Sequence, residues 1–250
     1  MLLFALIACT AEPAPERVEE LVVYGFANFD APDRIGGVVS PLSTWVDDHV
    51  EELAAGYVVD ALSADDLVAA GLLDADVEGI LGALGAATYQ VDVHEVARAT
   101  SSPKRTEIYE ATTSYRIVSE EGDRDCFLAG DCPRYTFTAD EVSTVPVLGD
   151  SERRLTTEYQ WLEGHDDVLA LRQLAPDPTV FSSPLMEVDQ QYGFVLLEPL
   201  PGGGTRRTEA FWVDARFLGA SAPEGFTVSQ AVGRMQDSAD QIDAWIQGTR

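Results

Sequence analysis

Thr208-Glu209-Ala210-Phe211-Trp212-Val213-Asp214-Ala215-Arg216-Phe217 decides how this chain folds. Phe211, Val213, Ala215 and Phe217 alternate with Trp212, Asp214 and Arg216, the period-two pattern of a strand with one buried face. Just beyond, Pro223-Glu224-Gly225 opens a different pattern. Val228, Val232, Met235, Ala239, Ile242 and Ile246 step by 4, 3, 4, 3 and 4 residues, with Trp245 beside the last. That is one apolar stripe on a helix over 226–248, opposite Gln236, Asp237, Asp240 and Asp243. The stripe has to lie on something apolar, and the buried face of the preceding sheet is the nearest candidate.

The alternation recurs upstream. Tyr89, Val91 and Val93 carry it, as do Tyr109 to Ile117, and Leu155, Tyr159 and Trp161. Val168 to Leu174 is a shorter run, and Met186, Val188, Tyr192, Phe194 and Leu196 form a longer one. With the opening segment these make about six strands over 88–218, and their short, turn-rich connections favour antiparallel pairing. Pro199-Leu200-Pro201-Gly202-Gly203-Gly204 joins the last two as a hairpin loop. A triple glycine can resemble a phosphate cradle, but no helix opens after it and no Lys-Ser/Thr follows.

Residues 41–87 read as helical. Ser43-Thr44 caps a helix carrying Trp45, Val46, Val50 and Leu53 and ending at Gly56. Ser63, followed by Asp65-Asp66, opens a second. Asp74 or Asp76 opens a third through Val77, Ile80, Leu81 and Leu84, although Gly79, Gly82 and Gly85 each lower its propensity by about 1 kcal/mol. Residues 18–29 lean towards a strand, with a buried helix start as the alternative, because short apolar runs do not discriminate.

Composition excludes some functions. The 250 residues are 46% hydrophobic, enough for a core, and carry a net charge of −27. Such a surface lacks the Lys and Arg that nucleic acid or an anionic bilayer requires. Cys126 and Cys132 lie in a turn-rich segment and read as a structural disulfide of an oxidising compartment. Five residues separate them, so they are not a redox C-x-x-C, and zinc would need further ligands nearby. His49, His94 and His165 are far apart and no Gly-x-Ser-x-Gly elbow exists, so no catalytic residue, metal or cofactor is assigned and the protein reads as a non-enzyme. A catalytic reading would need a cleft with convergent polar groups near His165.

Two resemblances add to this. Leu6-Ile7-Ala8-Cys9, ending a short apolar run, resembles the lipobox of bacterial lipoproteins. The run is far below the roughly 18 residues that span a bilayer and reads as a signal segment. The resemblance implies that 1–8 are removed, that Cys9 is acylated and that 9–17 link the anchor to the domain. The protein would then be exported and held on a membrane of a bacterial envelope through Cys9. The order of elements over 18–248, with 208–217 running into the last helix, resembles the START-like, or helix-grip, superfamily. That implies a sheet wrapped on the last helix and, between them, a pocket for a lipid or other apolar molecule. Its lining would be Tyr192, Phe194, Phe211, Val213, Met235, Ile242 and Trp245.

The expectation is therefore an α+β chain. Residues 18–250 form one domain, an antiparallel sheet of about six strands packed on a long C-terminal helix, with an N-terminal helical segment. Its function would be to bind an apolar ligand. The alternative is a non-catalytic interaction or envelope protein with a filled core and an exposed apolar patch on 41–87.

Overall fold

A computed structural model describes residues 13–248, except Asp74 and Val147. Cys9 and the signal segment lie outside the described residues. The chain runs through helices α1 (Val18–Ala27), α2 (Pro32–Asp48) and α3 (Val50–Ala55), strand β1 (Tyr57–Val59), α4 (Ala64–Ala69) and β2 (Leu81–Tyr89). Then come α5 (Val93–Thr100), α6 (Arg105–Ile108), β3 (Thr112–Glu121), α7 (Arg124–Leu128), β4 (Arg134–Val145) and β5 (Gly149–Trp161). Strands β6 (Leu169–Ala175), β7 (Val180–Phe181), β8 (Met186–Pro199), β9 (Thr205–Phe217) and β10 (Ala220–Ser221) precede α8 (Glu224–Gly248).

All pairings are antiparallel, in the order β1-β2-β9-β8-β6-β5-β4-β3, with β10 on β9 and β7 on β5. The described sheet thus has ten strands, against the six expected. Three of the extra ones, β1, β7 and β10, are only two or three residues long. The fourth is β4, whose buried Tyr135, Phe137, Ala139 and Glu141 alternate regularly. The Tyr89–Val93 segment instead splits between the end of β2 and the start of α5.

Helices cover both faces of the sheet. α8 lies on one face with α5, α6 and α7 and comes closest to β2. Its entire predicted stripe, Val228 to Ile246, is buried. A Cβ on Gly85 of β2 would lie 2.5 Å from Met235 Cε, so the glycine is what lets the helix seat there. α1 and α2 cover the other face, where Phe26, Ile35 and Leu42 pack with Tyr192, Phe194 and Trp212. The arrangement on the α8 face is the one the helix-grip resemblance implies. The α1–α2 layer adds a second apolar core behind the sheet.

Residues 18–27 are a helix, not the strand they leaned towards. Val18, Leu21, Val22, Gly25 and Phe26 are buried, a helical spacing hidden within a continuous apolar run. The helix expected to start at Ser43-Thr44 starts at Pro32, a residue suited to the first helical position. Thr44 Oγ1 instead donates back to Ser40 O at 2.9 Å. That helix breaks at His49, and Gly56, at φ +91°, ends the short one that follows. Ser63 does cap α4, in a capping box with Asp66. The third expected helix is absent, and Leu81–Tyr89 pair with β9 as strand β2. There Gly82 leaves room for Trp212, whose Nε1 would lie 2.7 Å from an added Cβ. These glycines serve a strand rather than a helix, Gly82 admitting Trp212 on one face and Gly85 admitting α8 on the other.

Cys126 and Cys132 form a disulfide, Cα–Cα 5.3 Å, closing the turn after α7. Reducing it is expected to cost about 2 kcal/mol, since only a short loop is released. Urea unfolding with and without reductant measures this. An unchanged midpoint would mean that the Asp123 cap and the Trp161 Nε1 bond to Phe127 O, 2.9 Å, hold the loop alone.

No helix among the described residues is long and apolar enough to cross a membrane.

Candidate functional site

Residues directly opposite in an antiparallel pair share a face, so the pairing register places each candidate. On β9, Phe211 and Val213 face α8, while Ala210 and Trp212 face α1. On β8 the pattern slips. A bulge between Val188 and Gln190 inserts one residue, so Val188 shares the α8 face with Gln191, Gly193, Val195 and Leu197. Tyr192 and Phe194 are thereby turned to the α1–α2 face, where Phe26 meets Tyr192 edge-on at 6.0 Å. They cannot line a pocket under α8. Ile242 is fully buried in the apolar cluster at the far end of α8, and Trp245 packs half-buried against it. Phe211 and Val213 share one face of β9 and pack with Val188 and Ala215, while Met235 of α8 lies against Gly85 of the neighbouring β2.

A single cross-strand row there runs Ala83, Phe211, Gly193, Gln173 and Thr157. Phe211 and Gln173 are half-buried, as is Glu209 in the next row, so solvent reaches this strip. Gly193 contributes no side chain to its floor, and a Cβ there would meet Gln173 Oε1 at 3.3 Å. Thr157 is fully buried, and its Oγ1 has no hydrogen-bond partner among the described residues. A buried polar atom left unpaired is unfavourable by about 1–3 kcal/mol. Thr157, Gln173 and Gly193 were missed in the sequence. Their signal was parity, since each falls on the same face as Leu155, Leu171 or Val195.

Charge collects at one end of this face. Glu141 of β4 accepts from Arg153 at 2.7 Å and from Ser143 Oγ at 3.1 Å, and Arg105 of α6 lies 4.0 Å away. Arg105 is itself buried, stacked over the rings of Tyr109 and Tyr115 at 5.2 and 5.4 Å. Its Nε has no partner among the described residues. Tyr159 lies near Thr100 and Tyr115 near Arg105, but neither hydroxyl meets hydrogen-bond geometry. Further along the face, Arg207 pairs with Glu209 at 2.6 Å and donates to Tyr89 Oη at 3.0 Å. Burial pushes the Tyr89 phenol up to about 12 despite that neighbouring charge.

Burial alone would raise the Glu141 pKa. The Arg153 and Arg105 charges and the bonds from Arg153 and Ser143 outweigh it and hold the group below its ordinary value. With its folded pKa below the unfolded value of about 4.3, Glu141 adds stability above that pH. The contribution is lost as pH falls through the depressed folded value. The stability difference between wild type and Glu141→Gln is therefore expected to narrow below about pH 4. Urea unfolding at several pH values reads it, and a difference independent of pH would contradict the assignment.

Two surface clefts lie elsewhere. One, of about 440 Å³, is lined by His94, Gly130, Trp161, His165, Asp166 and Asp167. His94 Nε2 is 3.1 Å from Asp167 Oδ1, and its ring lies 4.6 Å from that of Trp161. Polar groups do converge near His165, with two His and two Asp side chains in the lining, but no Ser, Thr, Cys or Lys lines the cleft. The other, of about 320 Å³, runs along the outer side of α1 past Pro15, Val23, Tyr24 and Asp60. No group of three or more His, Cys, Asp or Glu among the described residues is placed to hold a metal ion.

No protein-family model matches the chain, and no curated protein matches it in sequence. Among solved structures it is similar to a START superfamily protein from Mycobacterium smegmatis, 7% identical with a TM-score of 0.48, over 68% of this chain and 99% of that one. It is also similar to the lipid transfer and protein localization domain of human StarD13 (DLC2), 11% identical with a TM-score of 0.44, over 82% and 96%. A third is the Zhui aromatase/cyclase from a Streptomyces species, 15% identical with a TM-score of 0.42, over 68% and 96%. These are likenesses of arrangement at low sequence identity, to START-related proteins and others of the same build.

Proposed function

We propose that this protein binds a small molecule with an apolar body between α8 and the sheet, and does no chemistry on it. The observation that carries the reading is the row Phe211, Gly193, Gln173 and Thr157. It is half-open, has a gap in its floor at Gly193, and holds an unpaired hydroxyl at Thr157. Met235 and Val213 supply apolar surface beside it. Native mass spectrometry of protein extracted from its host is the test. A co-purifying apolar molecule is expected, and binding should weaken in Phe211→Ala. A ligand-free spectrum from the native source would favour the filled-core interaction protein instead. Val50, Val58, Val68 and Leu73, all exposed and all within 41–87, point towards that second reading.

The proposal extends to location. The lipobox-like Leu6-Ile7-Ala8-Cys9 supports an exported lipoprotein at the periplasmic face or cell surface, attached through acylated Cys9. The disulfide suits such an oxidising compartment. An acidic domain would not bind anionic lipid by charge, so a covalent anchor fits it. Intact-mass measurement should find a diacylated Cys9, and an unmodified Met1 would overturn the localisation.

A further inference from the structure

We infer that the ligand under α8 carries an oxygen on its apolar body, a hydroxyl or a carbonyl, and that Thr157 Oγ1 donates a hydrogen bond to it. The inference rests on the binding reading above and names the group that is recognised. It starts from where the unpaired polar atoms lie. Thr157 is fully buried, and its Oγ1 has no partner among the described residues. Buried hydroxyls in folded proteins are ordinarily paired, so one left open beside a candidate binding strip needs a reason.

The strand register supplies it. Thr157 stands on β5 between its direct cross-strand neighbours, Phe137 of β4 and Gln173 of β6. The row continues through Gly193 to Phe211. Phe137 is fully buried and closes the row on one side, whereas Gln173 and Phe211 are half-buried. Gly193, between those two, has no side chain to fill the gap. A molecule entering over Phe211 and Gly193 therefore meets Thr157 at the buried end of the row.

Other unpaired hydroxyls do not share this setting. Tyr159 Oη belongs to the next inward residue of β5, but its ring is enclosed by those of Phe127, Tyr135 and Phe137. Tyr115 lies beneath the Arg105 guanidinium. Thr208 is opposite Leu196, on the α1–α2 face. The chemistry follows from the groups in the row. A threonine hydroxyl donates one hydrogen, and the adjoining Gln173 amide offers donors and an acceptor. A plain hydrocarbon would leave Thr157 unpaired in the complex, whereas a hydroxyl or carbonyl oxygen removes that cost. In the free protein the hydroxyl stabilises nothing. Thr157→Val, which keeps the branched shape, should therefore leave the midpoint of urea unfolding unchanged or raise it.

The test is displacement of Nile red, an uncharged apolar dye, from the full chain by octanol, methyl hexyl ketone and octane. Each is titrated against wild type, Thr157→Val and Thr157→Ser. Octanol, the ketone or both are expected to need about three- to tenfold more competitor in Thr157→Val, the effect of one hydrogen bond. Octane should be unchanged, and Thr157→Ser, which keeps the hydroxyl, should behave as wild type. Whichever oxygenated competitor shows the loss identifies the ligand's oxygen as hydroxyl or carbonyl. An equal loss for octane, the same loss in Thr157→Ser, or no loss for either oxygenated competitor overturns the inference and leaves the binding reading in place. So does a lower unfolding midpoint, or a failure to fold, of Thr157→Val, because the hydroxyl would then be paired within the fold. Failure of Nile red to bind wild type, or of all the competitors to displace it, overturns the binding reading and this inference with it.

Discussion

Arg172→Ala is expected to destabilise the protein by about 3–5 kcal/mol, the cost of breaking a buried ion pair by removing one partner. Arg172 lies on β6, on the face under α1 and α2, and is only 2% exposed. Its Nε donates to Glu158 at 2.5 Å and a terminal nitrogen donates to Asp30 at 2.6 Å. Its guanidinium also stacks on the Phe29 ring at 4.8 Å. One side chain thus fastens the α1–α2 junction to β5 and β6, and its loss strands Glu158, whose side chain is 20% exposed. Asp30 is a useful contrast. Burial would raise its pKa, but Arg172 and Arg134 hold it below its ordinary value. Its side chain is 53% exposed, so Asp30→Asn should cost no more than about 1 kcal/mol. Urea unfolding of both variants decides. A loss of under about 1 kcal/mol for Arg172→Ala would mean that the helical layer is not anchored through this cation.

Trp212→Ala should cost a similar amount, about 3–5 kcal/mol, as for other large aromatic side chains removed from a core. Trp212 is fully buried, donates from Nε1 to Asp60 O at 2.9 Å and meets the Phe26 ring edge-on at 5.4 Å. Its neighbour in sequence behaves differently because strand geometry turns it to the other face. Phe211→Ala, at a half-buried position under α8, should cost at most about 1.5 kcal/mol in stability and should weaken ligand binding instead. Equal stability losses in the two variants would mean that Phe211 is ordinary core, and the strip would lose its apolar wall.

The parts legible in the sequence were those with an unbroken period. The α8 stripe steps regularly, and all six of its residues are buried. β9 alternates without interruption, so Phe211 and Val213 share one face as expected, but the other face, with Ala210 and Trp212, is the more deeply buried one, because α1 and α2 cover it. Where a period was broken or masked, the reading failed for a physical reason. The buried stripe of α1 sits inside a continuous apolar run, which hides its spacing. The glycines of β2 serve close contacts from Trp212 and Met235 that come from distant parts of the chain. One extra residue in the β8 bulge reversed Tyr192 and Phe194, and nothing local announces a bulge.

The charged end of the site was missed in the sequence, because β4 was not expected as a strand and neither Glu141 nor Arg153 was singled out. In the structure Glu141 falls in register with Phe137 and Ala139 on β4, and Arg153 with Leu155 on β5. The pairing that gathers Arg105 and Arg153 round one carboxylate joins α6, β5 and β4. That is tertiary information which no local pattern carries.

The most direct test of ligand binding under α8 is photo-crosslinking with a diazirine-bearing decanoate, followed by peptide mass spectrometry. Label is predicted on the peptides that contain Phe211, Gln173 and Met235, with competition by unlabelled decanoate. Label confined to the α1–α2 face or to the His94 cleft, or none that decanoate competes away, would contradict it.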